Sequence, residues 1–185
     1  MSATAPAPVP VLLYHSISRV AAPEFQPWAI PPEQFAAQIA YLRENGFTPL
    51  TVTRLVEARK TARLPVKPVV VTFDDGTADL AEVATPILVE ALPILLEHDC
   101  PATIYIATDF IGGTSRWLEA IGEGGRPMMN PHHVASLPGQ GIEVGAHSRS
   151  HPQLDTIPLA AAREEIVGSK ERLEQILGEG VQSFA

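Results

Sequence analysis

The sequence predicts an α/β fold built on a parallel sheet. Over its 185 residues, segments typical of buried strands alternate with segments of helical periodicity. The strongest strand, over residues 68–73, carries valines that would lie on both of its faces, as an interior strand of a parallel sheet requires. This alternation favours parallel pairing with right-handed crossovers. With 45% apolar residues the chain can bury a core, and no domain boundary is evident.

Three strands and two helices are predicted before residue 79. The first helix has Phe35, Ile39 and Leu42 at helical spacing, and Gly46 follows its end. In chain order these elements are a buried strand over 9–14, a helix over 32–45, a short strand over 47–52, a helix over 53–61 and the strand over 68–73.

The second half of the chain continues the alternation. Its elements are a long apolar helix over 79–98, a buried strand over 102–107, a short helix over 131–137, a strand over 141–146 and a helix over 159–177. Pro93 should kink or split the first of these helices. The last helix ends at Gly178, and its apolar stripe contains Leu159, Ala162, Ile166, Leu173, Ile176 and Leu177.

The charge balance argues against a nucleic-acid partner. Thirteen basic and twenty-one acidic residues give a formal net charge of -8, and no basic cluster interrupts this balance. Residues 1–10 lack the features of a signal peptide, and no apolar run is long enough for a membrane span. We therefore expect a cytoplasmic protein as the sequence is written, or an extracytoplasmic one if a signal has been removed. The lone Cys100 is expected to be a buried small residue.

Two adjacent carboxylates, Asp74 and Asp75, follow the strongest strand directly. Parallel α/β folds place their sites at the carboxyl ends of strands. The Asp-Asp-Gly sequence is also a good turn, so the pair alone does not distinguish a site from a loop. Two carboxylates after an apolar strand nevertheless need a cation or hydrogen-bond donors, because their desolvation is costly.

Two histidines, His147 and His151, follow another predicted strand. Alone they are weak evidence for a metal, because histidine pairs are also common in structural roles. Together with one aspartate they would offer an oxygen and two imidazole nitrogens. That set suits Zn²⁺ first, with Co²⁺, Ni²⁺ or Mn²⁺ as alternatives, and leaves a second carboxylate to act as a base.

At these residues the chain resembles the polysaccharide deacetylase family, also called the NodB-homology or carbohydrate esterase family 4 group. Residues 72–76 (Thr-Phe-Asp-Asp-Gly) resemble its first motif, and residues 147–151 (His-Ser-Arg-Ser-His) resemble its second. Further similarity, to the branch with poly-β-1,6-N-acetylglucosamine deacetylases, lies in 11–16, 35–50, 101–103 and 164–178. The resemblance implies that Asp75, His147 and His151 bind the metal and that Asp74 is the general base.

The resemblance also implies a fold and a substrate. The fold would be a distorted (β/α)7 barrel, with a flexible segment over 1–8 and the N-terminal portion of the deacetylase domain over 9–185. The substrate would be an N-acetylated polysaccharide or oligosaccharide, and Tyr14 and His15 would line the mouth of the site. For His15, a structural role with a hydrogen bond is the alternative.

The later family motifs, which supply a groove wall, support for the base and a proton donor, have no counterpart before Ala185. We therefore expect an incomplete barrel that self-associates through an open sheet edge. Metal-dependent removal of N-acetyl groups is the leading functional hypothesis. An O-acetyl glycan esterase and a non-catalytic carbohydrate- or metal-binding module are the alternatives.

Overall fold

The computed structural model describes residues 8–80 and 91–185. The helices in these residues are α1 (Pro32–Glu44), α2 (Val52–Lys60), α3 (Ala91–Glu97), α4 (Pro131–Ser136) and α5 (Leu159–Leu177). The strands are β1 (Val11–Tyr14), β2 (Ser16–Ile17), β3 (Ala29–Ile30), β4 (Thr48–Leu50), β5 (Pro68–Phe73), β6 (Thr103–Ile106) and β7 (Glu143–Ala146). Short 3-10 helices, including Pro23–Trp28, Thr108–Phe110 and Arg116–Ile121, occupy several connections.

The main sheet has five strands, and all of its pairings are parallel. Its hydrogen-bonded order is β1-β5-β6-β7, and β4 pairs with the first half of β5. Strand β5 therefore lies inside the sheet, and five of its six residues are buried. The prediction of a parallel α/β fold is confirmed. A separate two-stranded sheet, β2 with β3, was not anticipated.

Most predicted elements lie where the sequence places them, with ends that differ by one or two residues. Strand β5 and helix α5 have the predicted bounds. The helix expected over 79–98 is different. Residues 78–80 form a 3-10 helix and 91–97 an α-helix that contains Pro93, while 81–90 lie outside the described residues. Residues 1–7 of the expected flexible segment lie outside them as well.

Two expectations about burial are wrong. Strand β1 was expected to be buried, but Val11 and Leu13 are each 55% exposed. Leu12 and Tyr14 pack against the core on one face of β1, and the alternating Val11 and Leu13 point to the opposite face, which is open to solvent. In α5, Leu159 is 86% exposed because it lies in the first turn, ahead of the buried Ala162 and Leu173.

The buried core lies between the sheet and its helices. Phe35 and Ile39 of α1 pack with Val71 and Phe73 of β5 in one cluster that extends to Leu173 of α5. This cluster fixes the sheet, so that loops at the carboxyl ends of its strands have a rigid base. In the part of the chain that the structure describes, no helix is long and apolar enough to span a membrane.

Candidate metal centre

Asp74 and Asp75 leave the sheet at the carboxyl end of β5. The Asp74 N–H donates to the Tyr14 carbonyl at 2.9 Å, and the Asp75 carbonyl accepts from the Ala107 N–H at 3.2 Å. Asp75 has a left-handed backbone, with φ of 74°, which a non-glycine residue adopts rarely. This bend turns the Asp75 side chain out of the alternating pattern of the strand. Gly76 follows, and a Cβ there would lie 3.1 Å from Ile106.

His147 and His151 follow β7, which is separated from β5 by β6. The His147 N–H continues the sheet by donating to the Ile106 carbonyl at 3.1 Å. Ser148 and His151 both have left-handed backbones, with φ of 56° and 58°. The Ser148 hydroxyl accepts from the His151 N–H at 3.1 Å and closes this short loop. The loop thereby brings the second imidazole back toward the first.

Three side chains from these two strand ends converge on one point. The Asp75 Oδ1 atom lies 3.2 Å from His151 Nε2 and 3.5 Å from His147 Nε2, and the two nitrogens are 3.1 Å apart. Ligands that bind one ion at about 2.0–2.1 Å are roughly 3.0 Å apart in octahedral and roughly 3.4 Å apart in tetrahedral geometry. The three atoms therefore fit a shared divalent cation, and their types suit zinc.

Unsatisfied buried oxygens support the same conclusion. Asp74 Oδ1 and Asp75 Oδ1 are both buried, and neither has a hydrogen-bond partner among the described residues. A buried carboxylate oxygen without a partner destabilises the fold by about several kcal/mol. This cost falls when a cation or a water molecule binds the oxygen. The imidazole nitrogens of His151 and His147 lie 3.2 and 3.5 Å from Asp75 Oδ1. A cation between the three groups would satisfy the Asp75 oxygen.

The electrostatics of the two aspartates differ. Burial raises the pKa of Asp74, and the nearby imidazoles of His147 and His15 only partly oppose this effect. Burial acts on Asp75 in the same direction, but the His147 and His151 imidazoles outweigh it and hold the pKa of Asp75 well below its usual range. Burial alone would lower the pKa of His147, yet Asp75 and Asp74 raise it. The site thus favours positive charge beside Asp75.

Neighbouring groups orient both imidazoles. His147 Nδ1 lies 2.7 Å from the main-chain oxygen of Ala185, so a proton on Nδ1 would leave the Nε2 lone pair directed at Asp75. The indole of Trp117 stacks on His151, with ring centroids 5.1 Å apart and planes inclined by 28°. His147 is therefore held through its Nδ1 atom, and His151 through the face of its ring.

A mostly apolar cavity of about 220 Å³ opens beside Asp75 and His151. Its walls are aromatic and aliphatic side chains from two connections, with His15 at the edge; the full lining is His15, Phe25, Trp28, Asp75, Trp117, Leu118, Ile121 and His151. Tyr14 is not part of this lining. Its ring packs on Phe35 and Phe73, and its hydroxyl donates to Gln38 at 2.6 Å. The structure thus places His15, but not Tyr14, at the cavity.

Arg126 joins the two connections that form the cavity wall. Its guanidinium donates to Asp79 at 3.2 Å and to Glu123 at 3.0 Å, and it lies 4.8 Å from the centre of the Phe25 ring. Glu123 in turn accepts from the Ala22 N–H. These bonds hold the segment around Phe25 against the segment around Trp117.

Comparison with known proteins identifies the family. A family model described as polysaccharide deacetylase matches residues 61–185, which is more than half of the 185-residue chain. The chain belongs to the polysaccharide deacetylase family. The arrangement of one aspartate and two histidines fits this assignment, because both motifs fall within the matched region.

Individual deacetylases show how far the similarity extends. A putative polysaccharide deacetylase of Bacillus subtilis is 25% identical over 175 residues, which is 92% of this chain and 53% of that protein. A solved polysaccharide deacetylase from Bacillus cereus is 28% identical with a TM-score of 0.71, covering 95% of this chain and 49% of that one. The chain therefore spans about half the length of both. The poly-β-1,6-N-acetyl-D-glucosamine N-deacetylase of Escherichia coli strain K12 is 44% identical over 52 residues, 28% of this chain and 8% of that protein.

The wall of the cavity was much harder to predict from the sequence than the two family motifs. Phe25, Trp28, Trp117 and the Arg126 network lie in 3-10 helices and loops that have no periodic pattern. Their only signal was the presence of aromatic residues in segments rich in glycine and proline. The grouping of Asp75, His147 and His151 is the one cluster of three or more potential metal ligands in the described residues.

Proposed function

We propose that this chain hydrolyses N-acetyl groups on a glycan of β-linked N-acetylglucosamine, with a divalent metal as cofactor. The observation that carries the proposal is the convergence of Asp75, His147 and His151 at the carboxyl ends of β5 and β7, with the buried Oδ1 atom of Asp74 directly before Asp75 in the sequence. The family membership supports the reaction class. The short match to poly-β-1,6-N-acetyl-D-glucosamine N-deacetylase supports the choice of glycan.

Asp75, His147 and His151 would hold the ion, with Zn²⁺ preferred. A bound divalent ion supplies Lewis acidity toward the acetyl carbonyl and lowers the pKa of water in the site. The left-handed backbones at Asp75 and His151 set the direction of these two side chains, and the contact of His147 with the main-chain oxygen of Ala185 would orient the third. The protein thereby contributes a rigid set of ligands rather than one assembled on binding.

Asp74 would be the general base. Its oxygen Oδ1 is buried and has no hydrogen bond to the described residues, so it is available to accept a proton from the attacking water. Addition of that water to the amide carbon, transfer of the proton from Asp74 to the departing nitrogen and cleavage of the C–N bond would give acetate and a free amine. His15, Trp28 and Trp117 would contact the sugar at the cavity, and Tyr14 would support His15 from the adjoining core.

The fold proposal extends the observed sheet. We infer that the five parallel strands are part of a distorted (β/α)7 barrel of the deacetylase type. The outer edge of β7 is already partly covered, since the Ala146 N–H donates to the Ser183 carbonyl at 3.0 Å and Phe184 forms a parallel bridge with Ala146. Residues 183–185 thus run alongside β7 in the direction that a following barrel strand requires.

The test measures acetate release and metal binding on the same preparations. Substrates are N-acetylated β-1,6-glucosamine oligomers, chitooligosaccharides and O-acetylated xylan, each with and without added Zn²⁺. We expect metal-dependent release from an N-acetylated glycan. Asp74→Asn should retain stoichiometric metal and lose about 10²–10⁴-fold in rate, the usual contribution of a general base. Glu57→Gln, a change at an exposed carboxylate of α2, should leave both properties unchanged.

Three results would redirect the proposal. Release from xylan alone would indicate an O-acetyl esterase. Glycan binding without acetate release, unaffected by Asp74→Asn, would indicate a non-catalytic binding module. Unchanged metal stoichiometry in Asp75→Ala, His147→Ala and His151→Ala would show that the ligand assignment is wrong.

A further inference from the structure

The loop that carries both histidines has a backbone that needs support from outside. Two of its five residues, Ser148 and His151, are in the left-handed region, which costs on the order of 1 kcal/mol or more for each non-glycine residue. Such a conformation persists only where surrounding groups fix it. The distance of 3.1 Å between the two imidazole nitrogens depends on this backbone, because the loop conformation fixes the position of the His151 Cα atom relative to His147.

One carboxylate, that of Glu165 on α5, binds the centre of this loop. Its Oε2 atom accepts from the N–H groups of Arg149 and Ser150, each at 2.7 Å. Its Oε1 atom accepts from the Ser150 hydroxyl, also at 2.7 Å. Three donors on an ionised acceptor form a strong, directional set of hydrogen bonds.

The opposite side of the loop is bound by the residues after β6. The N–H groups of Thr108 and Asp109 donate to the carbonyls of Ser148 and Arg149, at 3.2 and 2.9 Å. The Arg149 side chain makes two further bonds to Asp109, at 3.2 and 3.3 Å. The loop is thus held between an anionic acceptor on α5 and backbone donors beyond β6.

Helix α5 is shaped to approach the loop closely. Gly168 lies three residues after Glu165, about one turn along the same face. A Cβ at Gly168 would lie 2.6 Å from Cδ of Arg149. The absence of a side chain at this position lets the arginine stem lie against the helix, and it brings Glu165 within reach of the loop N–H groups.

We propose that Glu165 is a positioning residue of the metal centre, one that holds His147 and His151 at ligand spacing without contacting the metal. This inference rests on the ligand assignment in the proposed function. It predicts that losing the Glu165 carboxylate weakens metal binding although all three ligands remain. Groups that orient metal ligands typically contribute about 10–100-fold in affinity.

The variants separate geometry from charge. In Glu165→Gln the side chain keeps its length but loses its charge, so the amide oxygen accepts weaker, neutral hydrogen bonds from the loop N–H groups while the NH₂ group donates to the Ser150 hydroxyl oxygen. In Glu165→Asp the charge remains and the reach falls by one methylene. Glu164→Gln is the matched control, because Glu164 neighbours Glu165 in the helix and has no hydrogen bond to the loop in the part of the chain that the structure describes.

The experiment measures Zn²⁺ affinity by competition with a chromophoric chelator and records the visible spectrum of the Co²⁺-loaded protein. We expect Glu165→Gln to lose about 10–100-fold in Zn²⁺ affinity and to change the Co²⁺ bands. The Zn²⁺ affinity of Glu165→Asp should lie between those of Glu165→Gln and wild type. The affinity of Glu164→Gln should match that of wild type within about twofold. Urea unfolding of the metal-free proteins checks that each variant is folded.

The outcomes distinguish the two proposals. If wild type fails to bind stoichiometric metal, the ligand assignment itself is wrong. If wild type binds metal and folded Glu165→Gln binds it within threefold of wild type with the same Co²⁺ spectrum, Glu165 has no positioning role. If Glu165→Gln does not fold, Glu165→Asp decides, since wild-type affinity and an unchanged spectrum in that variant would overturn the inference.

Discussion

Replacing Arg126 by methionine should lower the free energy of unfolding by about 3–5 kcal/mol, as is usual when one partner is removed from a buried ion pair. The Arg126 and Asp79 side chains are only 10% and 6% exposed, and they are 3.2 Å apart. Methionine keeps an apolar stem near Phe25, so the change removes mainly the charge and its hydrogen bonds. Asp79 retains the hydroxyl donors of Ser16 and Thr77, which places the expected loss near the lower end of the range.

The destabilisation caused by Arg126→Met should depend on pH, and the surroundings of Asp79 determine whether it grows or shrinks as the pH rises. Burial raises the pKa of the Asp79 carboxyl, against hydrogen bonds from Ser16, Thr77 and Arg126. Without Arg126 this pKa should rise further. Between the ordinary and the raised pKa, the native state binds a proton that the unfolded state does not, so stability increases as pH falls. The destabilisation of Arg126→Met should therefore be larger at pH 8 than at pH 5.5.

Urea unfolding followed by circular dichroism measures the effect. A loss of about 3 kcal/mol with a slope of about 2 kcal/mol per molar urea corresponds to a midpoint shift of about 1.5 M. Arg59→Met, on the exposed side of α2, is the matched control and should change stability by less than about 0.5 kcal/mol. Adding Asp79→Asn to Arg126→Met should recover part of the loss. A loss below 1 kcal/mol at pH 8, or additive effects of the two changes, would refute this reasoning.

Three further predictions concern other parts of the fold. Burial raises the pKa of Cys100 to about 11, so its thiolate fraction at pH 8 is about a hundredfold below that of a free thiol. Iodoacetamide should therefore react slowly with Cys100 until urea unfolds the chain, and equal reaction rates in the folded and unfolded protein would contradict this. Gly145→Ala should lower the free energy of unfolding by about 1–3 kcal/mol, because the new Cβ would lie 2.4 Å from the Tyr105 ring. Gly139→Ala is the control in the same urea assay, since a Cβ there meets no atom within 4 Å. Copies of this chain should associate through the exposed Leu13 on β1 as the protein concentration rises, and Leu13→Lys should weaken that association. A monomeric mass by light scattering at all concentrations would count against this prediction.

The elements that sequence reasoning found are those with a strong local pattern. The run of valines in β5 and the apolar stripe of α5 predicted both elements with their bounds, and the glycines after α1 and α5 marked where those helices end. The two motif segments were also recognisable, because together they resemble two motifs of the polysaccharide deacetylase family, although neither segment alone distinguishes a site from a structural role. Proximity of Asp75 to the histidines followed from the shared sheet edge.

The features that were missed depend on long-range contacts. Arg126 binds Asp79, 47 residues away, and Glu165 binds the loop 15 residues before it, and neither contact leaves a periodic signal. The exposure of Val11 and Leu13 was missed for a related reason. Burial of a strand face depends on what packs against it, and the apolar composition of β1 does not indicate whether another element covers that face.

The position of β6 between the two strands that supply the candidate ligands has a mechanical consequence. Asp75 follows β5 and the histidines follow β7, so an ion held by all three would tie two strands that share no hydrogen bond, across the end of a third. Opening the sheet at that end would then require losing the ion. At a metal concentration 100 times the dissociation constant this adds about 2.7 kcal/mol to the stability of the sheet. The amides of Ala107 and His147, which pair across these strand ends, should exchange with solvent correspondingly more slowly in the metal-loaded protein.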